Sequence, residues 1–215
     1  MLGQSMTRNS VLLALFALAT TALIASTYLL TKDDIALQMR QAEEKALLEI
    51  IPRSRHDNEM LDDTVLVGPQ SKGLGLREEK RIYVARQKGS VVAVIIPVVA
   101  PDGYSGDIDM IVGINSDQTI AGVRVLGHKE TPGLGDNAEL KKSDWVLGFD
   151  GRSLSNPTLD GWAVKKDKGI FDQFTGATIT PRAVVAATLR ALQFAQANRK
   201  SLFGVQDPAP TGGAS

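Results

Sequence analysis

The sequence predicts an α+β protein: a single N-terminal transmembrane helix followed by one mixed domain. Three observations carry this. One uncharged apolar run near the N-terminus is long enough to cross a bilayer, a block of β-branched segments follows, and a long amphipathic helix comes after a hydroxyl-rich turn.

The apolar run is Val11–Leu30, "VLLALFALATTALIASTYLL", with no charge between Arg8 and Lys32. Twenty helical residues span roughly 30 Å, the hydrocarbon thickness of a bilayer. Arg8 and the α-amino group precede it, whereas Lys32, Asp33 and Asp34 follow, which predicts a cytoplasmic N-terminus and an exported remainder. The run exceeds the h-region of a signal peptide, and "STYLLTKDD" has bulky residues where a cleavage site needs small ones. We therefore expect an uncleaved anchor.

"DDIALQMRQAEEKALLEIIP" reads as a stalk helix, capped by Asp33 or Asp34 and ended by Pro52, with Ile35, Met39, Ala42, Ala46 and Ile50 near helical spacing. "RSRHDNEMLDD" is polar and irregular, so His56 reads as a solvated loop residue. "RIYVARQ" and "SVVAVIIPVVA" read as strands, and "DIDMIVGIN" with "TIAGVRVLGH" as a hairpin turned at Ser116–Gln118. "KKSDWVLGFDG" resembles a short packing helix, and "WAVKKDKGIFDQF" a strand-rich segment. A helix is predicted from Pro181 to about Asn198, its buried face drawn by Val184, Val185, Leu189, Leu192 and Phe194; "PAPTGGAS" is disordered by composition. The expected organisation is a cytoplasmic segment at 1–10, a transmembrane helix at 11–31, a stalk at 32–52, a domain at 53–205 and a tail at 206–215.

Composition narrows the chemistry. Lysine plus arginine number 24 and aspartate plus glutamate 24, so there is no basic surplus to suggest nucleic-acid binding. The absence of cysteine excludes thiolate clusters, disulfides and thiol catalysis, and two histidines are too few for an imidazole zinc site. What remains is carboxylate and hydroxyl chemistry, or the chemistry of a bound cofactor.

Three stretches are candidates. In "DQFTGATITPR", Thr180 reads as a helix cap and Pro181 as the first helical residue; the helix start would stabilise a phosphate near Thr178 without a lysine, while a plain capped turn is the structural alternative. "GYSGDIDMIVGI" begins with Gly103, Tyr104, Ser105 and Gly106, either an ordinary turn or a loop on which a planar ligand lies against backbone. "GHKETPGLGD" places His128, Glu130 and Thr131 in a braced loop, suited to an acid–base pair, half of a metal site or a solvated turn.

Taken together, Asp172, the Thr175-Gly176-Ala177-Thr178 run, "GYSGDI" and "HKETPGLG" give the chain a resemblance to the G subunits of Rnf (Rsx) ion-translocating electron-transport complexes. It is more distantly similar to the C subunits of sodium-pumping NADH:quinone reductases. The resemblance implies an FMN-binding domain that carries electrons in an inner-membrane complex, with FMN linked to Thr178 by a phosphodiester. It implies that Thr175, Gly176 and Ala177 are the recognition context, and that Asp172 is read by a flavin transferase using FAD and magnesium. It also implies that Gly103–Gly106, His128, Glu130 and Thr131 line the flavin, that the other subunits and membrane lipid are partners, and that the domain is periplasmic. Thr175 stands where serine is common. Two readings from other classes remain: an anchored hydrolase built on Glu130 and His128, or a scaffold without redox chemistry.

Overall fold

Helix α1 runs without a break from Leu2 to Ile50, so the expected membrane and stalk segments form one helix. The computed structural model describes residues 2–204, and side chains from residue 8; the expected tail lies outside the described residues. The chain divides into two units, the first ending at Lys45 and the second beginning at Ala46.

In the first unit the apolar residues of α1 are exposed, as a membrane span requires when no bilayer is present. By length and composition α1 is a candidate membrane span. Three hydroxyls within it are satisfied by the helix itself: Thr20, Thr27 and Thr31 donate to the carbonyls of Phe16, Leu23 and Thr27, one turn back.

The second unit is built on a five-stranded antiparallel meander: β1 (Thr64–Val67), β2 (Lys80–Gln87), β3 (Ser90–Gly103), β4 (Gly106–Asn115) and β5 (Ile120–Gly127), in that spatial order. Both faces of the sheet are covered. Helix α2 (Ile179–Ala197) and the short α3 (Arg199–Phe203) share the main core, where Val184, Val185 and Leu192 join Val94, Ile96, Val98, Ile108, Met110 and Val112. On the other face, Leu47 and Ile50 at the end of α1, with Ile51 just after it, form a second core with Tyr83, Ala85, Ala93, Ile95 and Ile111. Strand residues alternate between the two faces, so a strand buried on both reads as an unbroken apolar run. That accounts for "AVIIPVVA" in β3 and for Ile111, which breaks the alternation of Ile108, Met110 and Val112.

Ile50 sits in a notch made by two glycines that pair across β4 and β5, Gly113 and Gly122. A Cβ on Gly113 would stand 2.3 Å from Ile50 Cγ2, closer than carbon atoms approach. Arg124 closes the end of α1, donating to the Glu49 carbonyl at 3.1 Å and to its carboxylate at 3.3 Å.

Several expectations change. Strand β1 was not foreseen; four residues inside "LDDTVLVG" are too few to show a period. His56 is buried, its Nδ1–H donating to the Asn58 carbonyl at 2.9 Å, so it is not a solvated loop residue. The segment from Trp162 to Phe174 forms no strand: it holds a 3-10 turn at Lys165–Asp167 and only isolated bridges, from Val164 to Phe171 and from Phe174 to Ala177. Left-handed Lys168 and the bond from Gly169 N–H to the Val164 carbonyl reverse the chain before a ladder can extend. Aromatic packing supplies the order instead, with Phe149 stacked on Phe171 at 4.5 Å and Trp145 edge-on to Phe174 at 4.9 Å.

Candidate functional site

The three candidate stretches meet at the N-terminal end of α2. Phe174–Ala177 is a β-turn closed by the Ala177 N–H on the Phe174 carbonyl at 3.2 Å, with Gly176 at φ +79° in the third position, a conformation that glycine adopts without strain. Thr178 then turns into the helix with φ −91° and ψ −25°, and α2 begins at Ile179.

This start corrects the sequence reading. Thr180 is not the cap; it lies inside the first turn, buried, and its hydroxyl donates to Glu130 Oε2. Pro181 is the third helical residue, still among the first positions, whose N–H groups have no partner within the helix. Thr178 occupies the cap position, yet its side chain makes no capping bond. Among the described residues its hydroxyl is unengaged, and the Thr178, Ile179 and Thr180 N–H groups have no acceptor. Arg182, the nearest cation in sequence, is held by Asp167 at 2.5 and 2.6 Å, a pairing that lowers the Asp167 pKa.

Glu130 joins the three stretches. Besides Thr180, its carboxylate accepts from the Ser105 N–H at 2.7 Å and the Tyr104 N–H at 3.2 Å. It is 5 % exposed, so these donors replace the water that a buried charge would lose. His128 points elsewhere: Nδ1 accepts from the Glu130 N–H at 3.0 Å, and Nε2 meets Glu139 Oε1 at 2.7 Å. Its proton is therefore on Nε2, donated to Glu139. The two side chains do not form the acid–base pair considered from sequence, nor a solvated turn. No group of three or more His, Asp or Glu among the described residues could hold a metal ion.

A cleft of about 210 Å³ opens here, lined by Tyr104, by Glu130, Thr131, Leu134 and Gly135, and by Gly176–Thr180. Of the candidate residues, Tyr104, Glu130, Thr131, Gly176, Ala177 and Thr178 line it. Gly103 and Gly106 pair with each other at the β3–β4 turn, Ser105 reaches the site through its N–H, and Thr175 forms the turn. Asp172 is exposed and ion-paired with Lys165 at 2.6 Å, and His128 faces away. Leu134 and Gly135, from the "HKETPGLG" loop, also line the cleft, as does Ile179, which nothing in the sequence separates from other turn residues. A larger groove of about 620 Å³, between β1 and the C-terminal end of α2, contains none of the candidate residues.

Comparison with known proteins accords with this geometry. A family model described as an FMN-binding domain matches residues 103–193, from the β3–β4 turn through most of α2. A second, described as the RnfG N-terminal region, matches residues 1–50, the length of α1. The chain is 50 % identical over 206 residues to the G subunit of the ion-translocating oxidoreductase complex of Pseudomonas aeruginosa, covering 96 % of both chains. It is 48 % identical over 204 residues to the corresponding protein of Pseudoalteromonas atlantica, covering 95 % of this chain and 94 % of that one. The Vibrio cholerae counterpart is 43 % identical over 201 residues, covering 94 % of this chain and 95 % of that one. The chain belongs to the family of ion-translocating oxidoreductase complex G subunits, and its α+β unit carries that family's FMN-binding domain.

Proposed function

We propose that the chain is the electron-carrying subunit of a membrane complex that couples electron transfer to ion translocation, and that its FMN is attached covalently through a phosphodiester on Thr178. One observation supports the attachment point above the rest: the Thr178 hydroxyl, unengaged among the described residues, borders the cleft at the head of a 19-residue helix whose first N–H groups lack acceptors among those residues. Such a helix start favours a phosphate through its N–H groups and the positive end of its dipole, with no cation needed. The apolar side chains of Tyr104, Leu134 and Ile179 beside it suit an aromatic ring.

When bound, the flavin supplies the redox chemistry. The residues of this chain hold and orient it. Glu130 locks the Tyr104–Ser105 loop and the first turn of α2 together. The cleft is smaller than the roughly 300–1,000 Å³ of sites that enclose a ligand, which leaves part of the cofactor open to a redox partner.

Maturation requires a flavin transferase acting on FAD with magnesium, for which Asp172 and the Thr175–Ala177 turn are the recognition elements. The span of α1 anchors the chain in the inner membrane, with Arg8 on the cytoplasmic side and the domain in the periplasm. The other subunits of the complex are its partners. A hydrolase built on His128 and Glu130 is disfavoured, because their side chains are committed to Glu139 and to three separate donors.

The test is flavin fluorescence on a denaturing gel. The full chain, exported with a co-expressed transferase, should give a fluorescent band, and Thr178→Ala a dark band of equal amount. A fluorescent Thr178→Ala band would overturn the assignment.

A further inference from the structure

We infer that Trp145 and Lys165 are positioning residues for modification of Thr178, acting in opposite directions on the Asp172 segment; this rests on the proposed attachment. The segment before the Thr175–Gly176 turn is not held by regular secondary structure. Its backbone is fixed at Asp172 by the Trp145 indole N–H, which donates to the Asp172 carbonyl at 2.8 Å. The same indole packs edge-on against Phe174 at 4.9 Å and Phe149 at 5.2 Å, so one side chain sets both residues that flank Gln173. Phe171 and Phe174 are buried, while the Asp172 side chain between them is left exposed.

That exposed carboxylate is not free. Lys165 Nζ holds it at 2.6 Å, and the pair is open to solvent, with side chains 56 % and 67 % exposed. The Lys165 N–H is separately bonded to the Phe171 carbonyl at 2.7 Å. Replacing the side chain therefore removes the ion pair and leaves the backbone tie. A transferase that reads the Asp172 carboxylate must first displace Lys165, whereas it depends on Trp145 to find the backbone in place.

The reaction concerned is a phosphoryl transfer. A bond forms between Thr178 Oγ and the flavin-side phosphorus of FAD as that phosphorus separates from the bridging oxygen. AMP leaves with the bridging oxygen, and the hydroxyl proton passes to solvent.

Initial rates of covalent flavin incorporation into the full-length chain, with purified transferase, FAD and magnesium, separate the two roles. Exposed ion pairs are worth up to about 1 kcal/mol, so Lys165→Gln should lower the KM for the protein substrate up to about fivefold with kcat unchanged. Raising the salt should bring the wild-type KM toward that of the variant. Trp145→Phe keeps a ring but loses the N–H, and should reduce kcat/KM by about two- to tenfold. An unchanged or higher KM for Lys165→Gln, or a wild-type rate for Trp145→Phe, would overturn the inference. A wild-type chain left unmodified by a transferase that modifies a control protein would instead sink the attachment reading beneath it.

Discussion

The Ser105 N–H donates to Glu130 Oε1 at 2.7 Å, across 25 residues of sequence, and so fastens the β3–β4 turn to the loop that follows β5. With Tyr104 and Thr180 on the other oxygen, Glu130 holds three parts of the chain at one point. Glu130→Gln leaves one acceptor oxygen where two now serve, so the amide N–H₂ faces a backbone donor, Tyr104 or Ser105, whichever way it turns. Stranding a buried donor costs about 1–3 kcal/mol, and urea unfolding of the full chain in detergent should show a loss of that size. An unchanged midpoint would mean that the three bonds add nothing to the fold.

Thr178 and Thr180 should behave as opposites. Thr178→Ala removes a hydroxyl that makes no bond among the described residues, so stability should stay within about 0.5 kcal/mol of wild type while covalent flavin disappears. Thr180→Ala deprives buried Glu130 of a donor and should cost about 1–3 kcal/mol while leaving the proposed attachment residue in place. Unfolding curves and gel fluorescence on the same two variants check both halves.

The glycine notch under Ile50 gives a coupling that can be measured. Gly113→Ala places a methyl 2.3 Å from Ile50 Cγ2 and should destabilise the domain by about 1–3 kcal/mol. Trimming Ile50 to Ala makes room for that methyl, so the double variant should be more stable than the sum of the two single changes. Strict additivity in the cycle would show that the two positions do not press on each other.

Acid should weaken the β4–β5 turn. The Asp117 carboxylate accepts from the Thr119 hydroxyl at 2.6 Å and the Thr119 N–H at 3.0 Å, and these bonds hold its pKa below the ordinary 3.8. A group depressed in the folded state stabilises fully above its unfolded value, and that contribution is lost as pH falls through the folded value. Asp117→Asn should therefore flatten the fall in stability below about pH 4, measured as unfolding midpoint against pH; an unchanged profile would assign the acid sensitivity elsewhere.

The sequence displayed its elements better than its contacts. Strands β2 to β5 were legible because β-branched residues cluster there, and the doubly buried β3 announced itself as a continuous apolar run. The polar string "RSRHDNE" gave no hint that His56 is buried, because the segment is tied to strand β2 by the Asp57 N–H on the Arg86 carbonyl, a contact that local composition does not show. The Thr175–Thr178 run was visible as a motif, but the helix start was misplaced by two residues. A hydroxyl followed by proline is a sound local cap signal, yet Glu130, 50 residues earlier, captures Thr180 instead. The role of Glu130 was hidden for the same reason: an acidic residue in a glycine-rich loop looks solvated until its donors are found.

Because Leu47, Ile50 and Ile51 belong to the core beneath the sheet, the place to sever the membrane segment is not where the helix ends. A fragment starting at Pro52 would expose Tyr83, Ile95 and Ile111 to water and invite aggregation of a domain that looks complete in sequence. One starting upstream of Ala46 keeps its underside shielded, and is the version to purify.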